Sequence, residues 1–361
     1  MEKARINTLS ENITSNDSRF LSIERITALW ALSEAALGGI LHAFNFPLTG
    51  LVMNSSAIIF IVLIAHYASH KGAIVRATLI VLIVKGMVSP HTPVNAYLAV
   101  SFQGILGELL FRSKKYFTLS ALLLGTVTLM QSGTQKIIAL TVVFGHTLWE
   151  SINIFGNFIL QKFNLAGAQP YDISLGIIAS YLSLHLITGI AVGIVAARIP
   201  FWLSNEMTSF KEKFIIHNIP ESIQLKVQNK RKSWLRRPSG IAIIILAALV
   251  VLLSYMYPQI TAQQGSRAII MVVRSIFIMV LWYTLIGPKL LLLFKKILNK
   301  KRNQYVDQVK STLQIIPPLR LIIYQTWNAA KIYKRFKRIK TFIVLTLIST
   351  LSAEFYASKT N

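Results

Sequence analysis

Long apolar stretches, separated by short polar turns, run through most of the chain up to residue 287. A helix needs about 20 mostly apolar residues to cross a bilayer, with roughly 17 as the lower limit. The stretches that come near this length are 24–44, 50–67, 72–89, 94–111, a part of 117–161, 173–198, 240–257, 267–287 and the shorter 341–355. The pattern predicts an all-α integral membrane protein. A six-helix membrane bundle would be followed by two or three further membrane helices and by amphipathic cytoplasmic helices.

Basic residues indicate the sidedness of these spans, because loops rich in Lys and Arg stay on the cytoplasmic face. The loop at 112–115 carries three basic residues, and the segment 199–239 carries eight. One crossing within 117–161 keeps both on the cytoplasmic side, whereas two crossings would export 199–239. We therefore predict one crossing there, with two as the alternative. The protein would be a multi-pass protein of the bacterial inner (cytoplasmic) membrane, with a cytoplasmic N-terminus.

The same reasoning divides the chain into consecutive segments. They are a polar cytoplasmic N-terminus (1–23), the six-span bundle (24–198), a basic cytoplasmic linker (199–239) and a second membrane unit (240–361). The second unit contains a basic arm, 289–340, with fourteen Lys or Arg residues and one acid. Whether 341–355 crosses the membrane stays open, because it is short for a span.

Composition changes how the positive charge is interpreted. The 361 residues carry a net charge of +25, yet only 14% are charged and 53% are hydrophobic. A soluble basic protein would have far more charge, so the excess is assigned to orientation and to contact with lipid headgroups. Membrane lipids are therefore expected partners, and nucleic acid is not. The chain has no cysteine, which excludes disulfides and thiolate metal sites.

The basic arm has the periodicity of amphipathic helices on both sides of Pro317 and Pro318. Proline has no N–H and clashes with the preceding turn, so this pair predicts a hinge between two helices. The second helix places Trp327 and Ala330 on one apolar face, and Lys331 follows. That face suits either an interfacial helix on anionic lipid or a helix held in the groove of a partner protein.

Several polar side chains fall inside predicted spans, where a charge costs on the order of 2.5–3.5 kcal/mol. Lys85 is the most demanding of them, and Glu150 is its predicted acidic partner. Five residues form a predicted substrate pocket that opens to the outside: Asn54, Lys85, Asn95, Glu150 and Asn153. The alternative is a purely structural network of ion pairs.

Small residues recur every four positions in the first span, at Ala31, Ala35 and Gly39. Such a stripe lets another helix approach closely. It fits packing within one bundle or docking against a separate helix. Further small sites lie at 104–107 and 189–197.

A search for catalytic motifs finds no P-loop, no H-E-x-x-H and no G-x-S-x-G, and the seven histidines lack metal-ligand spacing. We therefore expect no enzyme, no metal and no cofactor in this chain. A membrane enzyme that lacks a recognisable motif remains an alternative.

Three short runs carry a family resemblance. They are Ala31-Leu32-Ser33-Glu34-Ala35, then Ser89-Pro90-His91-Thr92-Pro93 leading to Gln103-Gly104-Ile105-Leu106-Gly107, and finally His185-Leu186-Ile187-Thr188-Gly189-Ile190-Ala191-Val192-Gly193. Together with the six spans, they make 24–198 resemble the substrate-binding S component of the energy-coupling factor (ECF) vitamin transporters. Residues 240–355 more weakly resemble the T component, through Gly287-Pro288 and the helices around Pro317-Pro318. The family's Ala-Arg-Gly motifs are absent, and Asn328-Ala329-Ala330-Lys331 is a degenerate counterpart.

The resemblance implies uptake of a small organic, vitamin-like solute, with ATP used only by separate ATPase subunits. It gives Ala31 and Ala35 contact with the T component, and it places the 317–331 region in the coupling arm. The Met-His start of nickel and cobalt relatives is missing, which points away from those metals. A membrane scaffold that recruits partners or lipid through its arm is the alternative.

Overall fold

The computed structural model describes residues 21–38, 48–89, 92–163, 170–210 and 264–352, and every regular element in these ranges is helical. Several predictions lie outside the described residues. They concern Gly39, the span 240–257, most of the linker 199–239 and nearly all of the N-terminal segment 1–23. The all-α fold class is confirmed for the part of the chain that is described.

Eleven helices are numbered here in chain order. They are α1 (21–38), α2 (Thr49–Tyr67), α3 (Ala73–Val88), α4 (Val94–Leu110), α5 (Phe117–Phe144), α6 (His146–Lys162), α7 (Ile173–Phe210), α8 (Gln264–Leu281), α9 (Gly287–Gln304), α10 (Val306–Ala330) and α11 (Arg335–Ser352). A π-helical turn, Ser33–Leu37, lies inside α1. A second π turn, Trp282–Ile286, joins α8 to α9.

Three of the described helices are long and apolar enough to cross a membrane: Thr49–Tyr67, Ile173–Ser204 and Ile269–Gln304. The pair α5 and α6 counts as a fourth if it forms one broken span, since the two are bent by 96°. Length and composition alone support these assignments. They are typical of a membrane protein, and the count of six crossings before residue 200 stays a prediction.

The bend between α5 and α6 is made by Gly145. Its φ of +72° is in the region that favours glycine. A Cβ at this position would lie 1.6 Å from a guanidinium nitrogen of Arg274, which donates to the carbonyl of Phe144. The ambiguous region 117–161 is thus one long helix followed by a sharply turned second one.

Contacts divide the chain into two compact units, each assembled from separated segments. Unit 1 comprises the described parts of 1–129, 187–224 and 295–361, and unit 2 those of 130–186 and 225–294. Unit 1 therefore holds α1 to α4, α10 and α11, and unit 2 holds α6 and α8. The sequence-based division into consecutive segments stays a prediction.

Unit 1 is built on close contacts of α3 with α2 and α4. A Cβ on Gly104 would lie 2.1 Å from the Oγ1 atom of Thr78, and one on Gly107 would lie 2.5 Å from Ile61 Cγ2. The same unit contains Gly125, whose Cβ would lie 2.4 Å from the carbonyl oxygen of Gly189. These small sites therefore serve packing inside the chain.

The predicted hinge at Pro317 and Pro318 is wrong, because α10 continues as one helix through both prolines. Prolines inside a helix cost about 3 kcal/mol or more, so packing on both sides must outweigh them. Ile316 and Leu319, on either side of the pair, are buried, and α10 contacts both α3 and α11. Tertiary contacts of the flanking turns thus override the local signal.

Candidate functional site

A buried ion pair lies between α1 and α3 in unit 1. The Lys85 ammonium is 2.5 Å from a carboxylate oxygen of Glu34. The two side chains are only 6% and 3% exposed. Removing one partner of such a pair leaves an uncompensated charge, at a cost of about 3–5 kcal/mol. This is the most heavily buried pair of opposite charges in the described part of unit 1.

The π turn of α1 carries Glu34. A π turn inserts one extra residue into an α-helix, and such turns occur frequently at functional sites. From this turn the carboxylate of Glu34 contacts Lys85 of α3, and Trp30 and Ala31 in the preceding turn are fully buried. The acid of the buried pair therefore lies at an irregular point of α1.

A second polar pair is buried between α2 and α4. The amide nitrogen of Gln103 donates to the Asn54 side-chain oxygen at 2.6 Å. Both residues are buried, and the Gln103 side-chain oxygen has no partner among the residues described. A buried acceptor without a hydrogen bond keeps its desolvation cost. The described core of unit 1 thus holds these two polar pairs, and a third buried pair joins the Thr326 and Thr346 hydroxyls at 2.8 Å.

The predicted pocket residues are divided between the two units, and the pocket stays a prediction. Asn54 and Lys85 are buried in separate pairs of unit 1, and Asn95 is exposed in the first turn of α4. In unit 2, Glu150 lies 3.6 Å from a ring nitrogen of His146. The predicted partnership of Lys85 with Glu150 is wrong, since Lys85 binds Glu34.

Asn153, the fifth predicted residue, belongs to a network at the start of α7 in unit 2. Its side chain donates to Asp172 Oδ1 at 3.0 Å and accepts the Ser174 backbone N–H at 2.6 Å. Hydrogen bonds from the Leu175 N–H, Asn153 and Ser174 lower the pKa of Asp172, which is fully exposed. The network is a helix cap, because the carboxylate meets backbone donors of the first turn.

Sequence reasoning missed Glu34 as the partner of Lys85, although a signal was present. Glu34 lies about ten residues and Lys85 about thirteen residues after the starts of predicted spans 24–44 and 72–89. The first and third spans of a bundle run in the same direction, so the two charges fall at similar depth at 1.5 Å per residue. A comparison of how deep each charged residue lies in its predicted span would have paired Glu34 with Lys85.

The other end of the same two helices contacts the basic arm. The Nε of Arg76 on α3 donates to the side-chain oxygen of Gln308 on α10, at 3.0 Å. The Ser311 hydroxyl of α10 donates to Glu24 on α1. A cavity of about 30 Å³ lies between them, lined also by His70, and has room for water. We call the two hydrogen bonds, Arg76–Gln308 and Ser311–Glu24, the arm joint.

Glu108 on α4 fixes the start of α3. Its carboxylate accepts the backbone N–H groups of Gly72 at 2.6 Å, Ile74 at 3.1 Å and Val75 at 3.4 Å. A carboxylate at a helix N-terminus satisfies free donors and complements the helix dipole. The helix that carries both Arg76 and Lys85 is therefore held firmly at one end.

The residues predicted for helix docking and for coupling differ in how far they are buried. Ala31 is fully buried, which fits internal packing, whereas Ala35 is partly exposed. Trp327 is 40% exposed and stacks against Arg338 of α11, whose guanidinium carbon is 4.2 Å from the ring centroid. Ala330 is fully buried. Part of the predicted docking face of the arm is therefore covered by the chain itself, and Lys331 beyond it is exposed.

No protein-family model matches the chain, and comparisons with curated proteins and solved structures find no significant match. Within the ranges described, no group of three or more His, Asp or Glu side chains is close enough to hold a metal ion. Function is therefore inferred from the residues and geometry of the chain alone.

Proposed function

We propose that the protein takes up a small organic, vitamin-like solute across the bacterial inner membrane, and that separate ATPase subunits supply the energy. One observation supports this proposal above the others. The two helices that carry the buried pair, α1 and α3, are also the two that contact the basic arm. These contacts support a route by which movement of a cytoplasmic arm could reach the interior of the bundle.

The distances along the two helices match. On α3, Arg76 and Lys85 are nine residues apart, and on α1, Glu24 and Glu34 are ten residues apart. At 1.5 Å per residue, the arm joint and the ion pair are about 14 Å apart on both helices. A displacement of α10 at the arm joint would therefore reach both members of the pair through continuous helices.

Opening the pair would provide one cationic and one anionic group for a solute. A solute with a carboxylate replaces Glu34 at Lys85, and a solute with an amine replaces Lys85 at Glu34. Only a solute that carries both groups keeps Lys85 and Glu34 paired at the same time, and it thereby avoids the large cost of an isolated buried charge. The proposal thus favours a solute that carries both a carboxylate and an amine.

The test is native mass spectrometry of the full chain, purified from membranes of cells that produce it. We expect a small organic molecule to remain bound to the unaltered protein and to be lost from Lys85→Met/Glu34→Gln. ATPase subunits should co-purify, and Lys331→Glu should release them. Gln161→Ala is a matched control at an exposed polar position of α6 and should keep both. Retention that is unchanged in the double variant would contradict the role of the pair.

A membrane scaffold is the second candidate, and the covered face of the arm favours it. Because α10 is packed on α3 and α11, the cationic surface of the arm lies mainly outside α10, at exposed Lys and Arg residues of 289–302 and 331–340. A scaffold would use that surface for anionic lipid or acidic partners without moving a solute. Purified protein that retains no solute and no ATPase, but binds anionic liposomes, would support this function over transport.

A further inference from the structure

A groove lies between the C-terminal part of α7 and the N-terminal half of α11, both in unit 1. It has a volume of about 460 Å³. That value is within the roughly 300–1,000 Å³ of typical ligand sites. Its floor is apolar, with Ile199 only 1% and Val344 2% exposed. A groove of this kind takes an apolar chain rather than a polar solute.

One end of the groove is basic. Lys337 and Lys340 both line it and are exposed. They are three residues apart on α11, so they lie on one face with Cβ atoms about 5–6 Å apart. The Lys340 ammonium lies 4.8 Å from the centroid of the Trp202 ring. No acidic side chain contributes to the lining that the described residues form.

The position along α7 matches the edge of a bilayer. The candidate span Ile173–Ser204 ends just after Trp202. Tryptophan is enriched where the hydrocarbon meets the headgroups, and Lys side chains extend there to reach phosphate. Val195, deeper in the span and 40% exposed, opens the apolar part of the groove to the lipid phase.

From these three features we infer that the groove binds one anionic glycerophospholipid. An acyl chain lies along Val195, Ile199 and Ile343, and the phosphate lies between Lys337 and Lys340. Charge complementarity selects the anionic headgroup, and the apolar floor selects a lipid over a free anion. The lipid would hold α11, and with it the end of the arm, against α7. This inference does not depend on the transport proposal.

The test uses the full chain, delipidated in detergent and titrated with phosphatidylglycerol or with phosphatidylcholine of identical acyl chains. Native mass spectrometry counts bound lipid. We expect phosphatidylglycerol to bind at least about tenfold more tightly than phosphatidylcholine. Because each surface Lys contributes about 1 kcal/mol, Lys337→Gln/Lys340→Gln should weaken it by about tenfold to thirtyfold.

Two further variants separate this site from general charge attraction. Lys296→Gln/Lys300→Gln removes the same charge from exposed positions of α9 and should change the affinity less than twofold. Val195→Phe should obstruct the chain and weaken phosphatidylglycerol at least about fivefold, with the thermal unfolding temperature checked for each variant. Because Val195 is partly exposed, the larger Phe side chain has room at this position, and we expect the variant to fold.

Three outcomes would overturn the inference. One is equal binding of the two lipids, and another is an equal loss in the α9 control variant. The third is binding of inorganic phosphate at the same affinity as the lipid, together with no effect of Val195→Phe. That result would show that the site binds an anion and does not hold an acyl chain.

Discussion

Both units contain strongly apolar helices, but the share of apolar residues that protein buries differs between them. In α2 of unit 1, 56% of the most apolar window is buried by protein. In Ile269–Gln304, which begins in unit 2, the share is 6%. Its exposed side chains include Ile269, Val272, Ile276 and Met279, at steps of three and four residues. Hydropathy predicts both as spans, but only packing tells which one faces protein and which one is left for lipid or a partner.

Polar groups follow the same contrast. Unit 1 buries Glu34 with Lys85 and Asn54 with Gln103, whereas in the Asn153 network of unit 2 the charged group, Asp172, is exposed at the end of a helix. Interior polar groups are expensive to disturb, because an unpaired partner keeps its full desolvation cost. The comparison therefore predicts that substituting these polar residues lowers stability strongly in unit 1 and only slightly in unit 2.

The largest effect is expected for Lys85→Ala. The carboxylate of Glu34 would stay buried without its partner, so the free energy of unfolding should fall by about 3–5 kcal/mol. Thermal and denaturant unfolding in detergent, followed by circular dichroism, measures the loss.

Its control is the double variant Lys85→Met/Glu34→Gln, which removes both charges and nearly conserves volume. It should recover most of the stability, because a buried ion pair replaced by neutral groups is often close to neutral. If single and double variants lost the same amount, the cost would lie in packing, and the contrast in polar groups would fail.

The next effect compares two glycines. Gly104→Ala in unit 1 places a Cβ 2.1 Å from the Thr78 Oγ1 atom, so α3 and α4 must separate. Overpacking of this kind costs about 1–3 kcal/mol. Gly176→Ala in unit 2 meets nothing within 4 Å and should be neutral or stabilising by up to about 1 kcal/mol. The same unfolding measurement applies to both, and equal losses would mean that unit 2 is packed as tightly as unit 1.

Much of the fold was predictable from the sequence, because spans depend on local hydropathy. Helices α2, α3 and α4 occur close to the predicted 50–67, 72–89 and 94–111. The pairing of Lys85 with Glu34 was indicated only by their similar depth in the first and third predicted spans, and the π turn that carries Glu34 is marked by no local pattern. The continuity of α10 through Pro317 also depends on distant contacts, which local propensity does not contain.

The smallest effect is expected at the Asn153 network, and it should appear as a change in titration rather than in overall stability. Hydrogen bonds to the ionised carboxylate lower the pKa of Asp172, so the folded state binds a proton less readily than the unfolded chain. The stabilisation is therefore present above the unfolded pKa and is lost as the pH falls through the folded pKa. Asn153→Ala removes the second largest of these hydrogen bonds and should raise the pKa of Asp172 towards its ordinary value.

Carbon-detected NMR of the labelled Asp172 carboxyl, followed against pH in detergent, measures that shift. Asn95→Ala, an exposed amide on α4 of unit 1, serves as the matched control and should leave the titration unchanged. The thermal unfolding temperature should change far less than in Lys85→Ala, because water can replace the lost hydrogen bonds at an exposed helix end. A loss of stability as large as that of Lys85→Ala would show that the cap holds unit 2 together, and the contrast between buried and exposed polar groups would no longer separate the two units.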